Sequence, residues 1–178
     1  MSTTVAIVGA GPLGRWLALV SARAGYRVLL EDVMPANLHH AREALRRELG
    51  AEALPSVAFV STIEDAVREA DLVIDCVPDE LESKLEIFCL LDRMAPPRTV
   101  LVTPTTRLSI ADLAACTYRA DKCVAIAAEA DAMAEGAGGD LLLRKSLQTS
   151  PETIALVLEF WERLKFRPRF ETDPDSAS

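Results

Sequence analysis

The sequence predicts an α/β fold, a doubly wound and mostly parallel sheet with helices on both faces. Three observations predict it. Short apolar runs alternate with helical patterns along most of the 178 residues, as expected of parallel strands joined by crossover helices. The opening run Val5-Ala6-Ile7-Val8-Gly9-Ala10-Gly11-Pro12-Leu13-Gly14 reads as a buried strand, a glycine-tight turn and a helix entered on a proline. A second apolar run, Tyr26-Arg27-Val28-Leu29-Leu30, ends in Glu31-Asp32, about twenty residues past the glycines.

Strands are expected near 4–8, 27–32, 57–60, 71–77, 99–103 and 123–128. Helices are expected near 12–24, 36–49, 63–69, 80–94, 109–116 and 151–165. Shorter strands are placed at Asp140-Leu141-Leu142-Leu143 and Arg167-Pro168-Arg169-Phe170. Gly25, Pro35, Pro55 and Pro96-Pro97 mark turns. Ser150-Pro151 opens the last helix, with Ser150 as cap and Pro151 where no N–H is needed.

Each residue of the first turn has a separate task. Gly9 makes the turn, Gly11 lets backbone approach a diphosphate, and Gly14 lets helix pack on strand. Pro12 and Leu13 open the helix, whose free N–H groups and positive dipole end face the phosphates. Asp32 is placed to accept hydrogen bonds from an adenosine ribose. Two adjacent acids disfavour a 2′-phosphate, so the expected cofactor is NAD, held in a Rossmann-type fold.

Half of the residues are hydrophobic, which excludes disorder except at the ends. A net charge of −8 argues against nucleic acid or an anionic membrane as partner. No apolar run reaches the roughly 18 residues of a membrane span. Residues 1–8 begin a strand and carry no charged leader, so a cytoplasmic location is expected. Cys76, Cys89, Cys116 and Cys123 lack metal-ligand spacing and read as buried, inert thiols; no metal is expected. His39-His40 fall on a charged helix face.

Ligands bind such sheets at the carboxyl ends of the strands. That places Asp75, Val77, Pro78 and Asp79 there after the fourth strand, and Thr103, Pro104, Thr105 and Thr106 after the fifth. Glu129 and Asp131 follow the sixth. Residues 128–139, small, acidic and glycine-rich, read as a loop beside the site or as a plain surface loop.

Gly9-Ala10-Gly11-Pro12-Leu13-Gly14, Asp71-Leu72-Val73-Ile74-Asp75-Cys76-Val77-Pro78-Asp79 and Leu108-Ser109-Ile110 together resemble the NAD-binding domain of the 3-hydroxyacyl-CoA dehydrogenases. Glu82-Ser83-Lys84, Ala95–Leu101 and Thr149-Ser150-Pro151-Glu152-Thr153 extend the likeness over about residues 4–173. The resemblance implies an NAD-binding domain over 1–172, a disordered tail over 173–178, and no counterpart of the family's C-terminal helical domain. It also implies oxidation of a 3-hydroxyacyl-CoA, with a histidine as base, a glutamate orienting it and a serine on the substrate oxygen. The serine falls on Thr106, the orienting glutamate near Asp140, and the histidine on Ala128. The asparagine of the family's serine block falls on Pro104, and the acid ending the fourth strand on Asp75. The family's CoA-holding helical excursion is replaced by the direct connection Leu49–Pro55, and Arg15-Trp16 stand where small residues are usual.

Alanine accepts no proton, and general-base assistance contributes about 10²–10⁴-fold. Glu129 or Asp131 could stand in, as weak bases unless their pKa is raised. The favoured reading is a stand-alone NAD(H)-binding domain whose small-molecule partner is the dinucleotide, with acyl-CoA or a partner protein as further candidates. The alternatives are an active dehydrogenase completed by a partner chain and a non-catalytic interaction subunit. Monomer, homodimer and heteromer stay open.

Overall fold

In a computed structural model, which describes residues 2–129, 132–133 and 138–174, β1 (Thr4–Val8), β2 (Arg27–Glu31), β3 (Val57–Val60) and β4 (Leu72–Asp75) form half of a sheet. β5 (Val100–Pro104), β6 (Cys123–Ile126), β7 (Asp140–Lys145) and β8 (Arg167–Thr172) complete it. The strand order is β3-β2-β1-β4-β5-β6-β7-β8. The first six are parallel to their neighbours, β7 runs antiparallel to β6, and β8 runs parallel to β7. The order reverses between β1 and β4, which makes that junction the switch point where a crevice opens.

The period-2 alternation of the strands sorts their side chains into two cores. Val5, Ile7, Val28, Leu30, Leu72 and Ile74 pack on one face, with α1 (Pro12–Arg23), α2 (Pro35–Ala53) and α6 (Pro151–Arg163) supplying the covering layer. Ala6, Val8, Leu29, Val73 and Leu101 pack on the other, under α3 (Ile63–Val67), α4 (Leu81–Met94) and α5 (Ile110–Ala115). Both short strands predicted near the carboxyl end are present, each two residues longer than expected. Among the described residues no helix is long and apolar enough to cross a membrane.

Several differences from the sequence reading have identifiable physical causes. β4 ends at Asp75 rather than 77, which frees Cys76–Glu80 to shape the crevice. Helix α2 continues past 49 through a break at Gly50, whose φ of 70° only glycine adopts without strain. Asp173, expected to open a disordered tail, is buried, and its Oδ2 accepts the Ile110 N–H at 2.6 Å. Residues 175–178 lie outside the described residues. Trp16 fills space rather than crowding the crevice, packing edge-on against Phe166 with ring centroids 5.9 Å apart. Cys89 is exposed, against the expectation of four buried thiols. Burial pushes the Cys76 thiol far up and the Cys123 thiol up to about 12.

Candidate functional site

The ends of β1, β4, β5 and β6 frame one cavity of about 580 Å³. Its floor is the glycine turn, where Gly11, Pro12, Leu13 and Gly14 all line it. Gly9 lies beneath with φ 105°, its N–H donating to the Glu31 carbonyl at 2.8 Å. A Cβ on Gly14 would overlap the Gly9 carbonyl oxygen, so this glycine is what lets α1 start so close to β1. A Cβ on Gly11 would meet nothing within 4 Å, so open space stands above the helix start. Gly11 caps α1 without a side-chain bond, and Pro12 follows it. The first-turn N–H groups therefore keep no side-chain partner at the cap and point at that space.

Asp32 stands at the tip of β2, half-buried beside the turn. Its Oδ2 accepts the Ala10 N–H at 2.9 Å and the Asn37 amide at 3.1 Å, and its Oδ1 accepts the Met34 N–H at 2.8 Å. Burial opposes its charge, but these hydrogen bonds, from Met34 first, outweigh it and hold the carboxyl below its ordinary value. Asp32 is thus a fixed anion that also ties down the glycine turn. Glu31 differs: burial first, then the Asp32 charge, pushes its carboxyl up to about 7.

The loop after β4 separates two carboxylates that sequence reading grouped together. Asp75 is fully buried and does not line the cavity; its Oδ1 accepts from Lys84 Nζ at 2.7 Å. Burial pushes the Asp75 carboxyl up and the Lys84 ammonium pulls it back. Asp75 is therefore no cofactor contact but the anchor of Lys84, which does line the cavity. Val77 and Pro78 line it as expected. Asp79 was the more informative acid: Oδ2 accepts the Thr106 N–H at 3.2 Å, its carbonyl accepts from the Arg107 guanidinium at 2.9 Å, and Oδ1 is buried without a partner.

After β5, Pro104, Thr106 and Arg107 line the cavity. Thr105 is buried and turns inward, its hydroxyl accepting the Leu108 N–H at 3.0 Å. Thr103 is buried in the strand. After β6, Ala128 and Glu129 line the opposite wall. The chain's two histidines are both exposed on α2, so neither reaches the cavity. Asp140, the candidate orienting acid, does not line the cavity either. It is exposed at the start of β7 and pairs with Arg167 at 2.7 Å; that hydrogen bond holds its carboxyl below the ordinary range. Asp131 and the rest of 130–131 and 134–137 lie outside the described residues. Arg15 is half-buried on α1 and does not line the cavity.

Over residues 4–128, most of its length, the sequence matches the family described as 3-hydroxyacyl-CoA dehydrogenase, NAD binding domain. The chain belongs to that family. It is 29% identical over 133 residues to a probable 3-hydroxybutyryl-CoA dehydrogenase of Bacillus subtilis, covering 67% of this chain and 46% of that protein. It is 34% identical over 134 residues to the lambda-crystallin homolog of Bos taurus, covering 67% and 42%. The solved 3-hydroxybutyryl-CoA dehydrogenase from Escherichia coli K12 superposes with a TM-score of 0.84 at 26% identity, over 97% of this chain and 39% of that one. This NAD-binding domain thus spans less than half the length of each of these three proteins.

Proposed function

We propose that this protein binds NAD(H) in the crevice and serves as an oxidoreductase-type dinucleotide domain in which the family's catalytic histidine is replaced. The supporting observation is the cavity's lining: a complete phosphate cradle on one wall and no histidine on any. The residues fit the cofactor. The open space over Gly11 suits a diphosphate, and the partnerless Asp79 Oδ1 is a buried acceptor that needs a hydroxyl or amide donor. Asp32 would take the adenosine ribose, while Lys84 and Asp79 would position the other end of the dinucleotide. When bound, the cofactor supplies or accepts hydride. Thr106 would orient a substrate oxygen, and with alanine at 128 no cavity side chain matches the family's base.

The second reading is a dehydrogenase completed by a partner chain, with acyl-CoA as substrate. Thr106 and Glu129, both lining the cavity, favour it, since a hydroxyl and a carboxylate are the minimum for orienting and deprotonating an alcohol. Reduction of acetoacetyl-CoA, followed by loss of NADH absorbance, separates the two. The protein alone is expected to bind NADH without turnover. Turnover that appears when a candidate partner protein is added, and is lost in Thr106→Ala, would replace the first reading with the second.

A further inference from the structure

Resting on the reading of the crevice as an NAD(H) site, we infer that Arg107 makes the cavity wall that follows β5 a binding site for a small carboxylic acid bearing a ketone or hydroxyl. The cavity wall holds two cations. Lys84 is already neutralised by Asp75 at 2.7 Å. Among the described residues Arg107 has no carboxylate partner, and its guanidinium makes one hydrogen bond, an amino group donating to the Asp79 carbonyl at 2.9 Å. That anchor holds the guanidinium at the cavity wall and leaves further N–H donors for an arriving anion, which the planar fork of arginine can bind through two hydrogen bonds.

The anion of the dinucleotide is not its natural partner. The diphosphate cradle starts on β1, and Arg107 follows β5, two strands away in the order β1-β4-β5. At about 4.8 Å per strand that separates the two backbones by roughly 10 Å. The charge balance of the cavity selects among anions. Asp79 and Glu129 also line the cavity, so a dianionic phosphate would meet two carboxylates with, among the described residues, one cation not already paired to a carboxylate to offset them. A planar monoanion matches the fork and carries half that charge. Thr106, adjacent in sequence and also lining the cavity, would then meet the ligand's ketone or hydroxyl oxygen. A neutral thioester would leave the guanidinium without use.

The test titrates acetoacetate, and its neutral methyl ester, into the protein saturated with NADH, with bound-NADH fluorescence as readout. Acetoacetate is expected to bind at least about tenfold tighter than the ester, the scale of a hydrogen-bonded charge pair. Arg107→Ala should erase that preference, Arg107→Lys should keep part of it, and neither should change NADH affinity more than about twofold. The inference is overturned if NADH binds but acetoacetate shows no advantage over the ester. It is equally overturned if Arg107→Ala weakens NADH and leaves acetoacetate untouched, which assigns the arginine to the dinucleotide. Absence of NADH binding itself would instead remove the cofactor reading on which this one stands.

Discussion

Lys84 and Arg119 are the two basic side chains buried among the described residues, and they are satisfied very differently. Arg119 precedes β6, at the end of the sheet away from the crevice. Its Nε donates to Asp92 Oδ1 at 2.8 Å, and its two amino groups donate to the carbonyls of Pro96, Thr99, Asp92 and Ala95. All of its bonding capacity goes to tying the end of α4 to the β5 and β6 starts. Lys84, at the crevice, has one partner, Asp75, although an ammonium carries three donors. The saturated Arg119 ties elements together, while Lys84, beside the cavity, has donors beyond the one given to Asp75.

The largest effect that separates them is Arg119→Ala. It strands the Asp92 carboxylate and four carbonyls, so a loss of about 3–5 kcal/mol or more is expected in urea unfolding. NADH affinity of the folded fraction should not change. Lys84→Met should cost less, about 3 kcal/mol, because Asp75 can take up a proton once its partner is gone. The Asp75→Asn, Lys84→Met double variant should recover most of that stability yet still bind NADH weakly. Recovery of both would make Lys84 a structural tie like Arg119 and end the contrast.

Gly14→Ala comes next, at about 1–3 kcal/mol from the overlap with the Gly9 carbonyl, together with weaker NADH binding. The smallest effect is pH-dependent. Glu31 has its carboxyl raised from 4.5 to about 7 by burial and by Asp32, so the folded state holds this proton longer than the unfolded one. Its contribution to stability is full below about 4.5 and is lost as pH rises through about 7. Glu31→Gln should therefore match the parent at low pH and melt higher than it above neutrality. A melting difference that does not change with pH would mean the Glu31 carboxyl titrates normally.

What could be read from sequence was what is local along the chain. Gly9, Gly11, Gly14 and Asp32 carry their roles in spacing and residue type, and the structure puts them around one turn. The alternation that sorted Val5 and Ile7 from Ala6 and Val8 is also a local pattern. What escaped depends on distant partners. Asp75 looked like a crevice acid until Lys84, nine residues on, was seen beneath the helix start. Asp173 looked like tail because its partner, the Ile110 N–H, lies 63 residues away. Asp140, placed near the orienting glutamate by resemblance, has its partner Arg167 27 residues further on and away from the cavity lining. Lys84 and Arg107 are the missed residues of the site, and the signal for them was weak: a lysine one turn into a helix and an arginine beside threonines.

The central claim is that the amino-terminal turn and Asp32 together hold a dinucleotide. Titrating NADH into the protein and into Asp32→Ala, with energy transfer from tryptophan as readout, tests it most directly. The account predicts saturable binding that Asp32→Ala weakens by about 1–3 kcal/mol. A parent protein that shows no saturation at millimolar NADH, or a variant that binds as tightly as the parent, would contradict it.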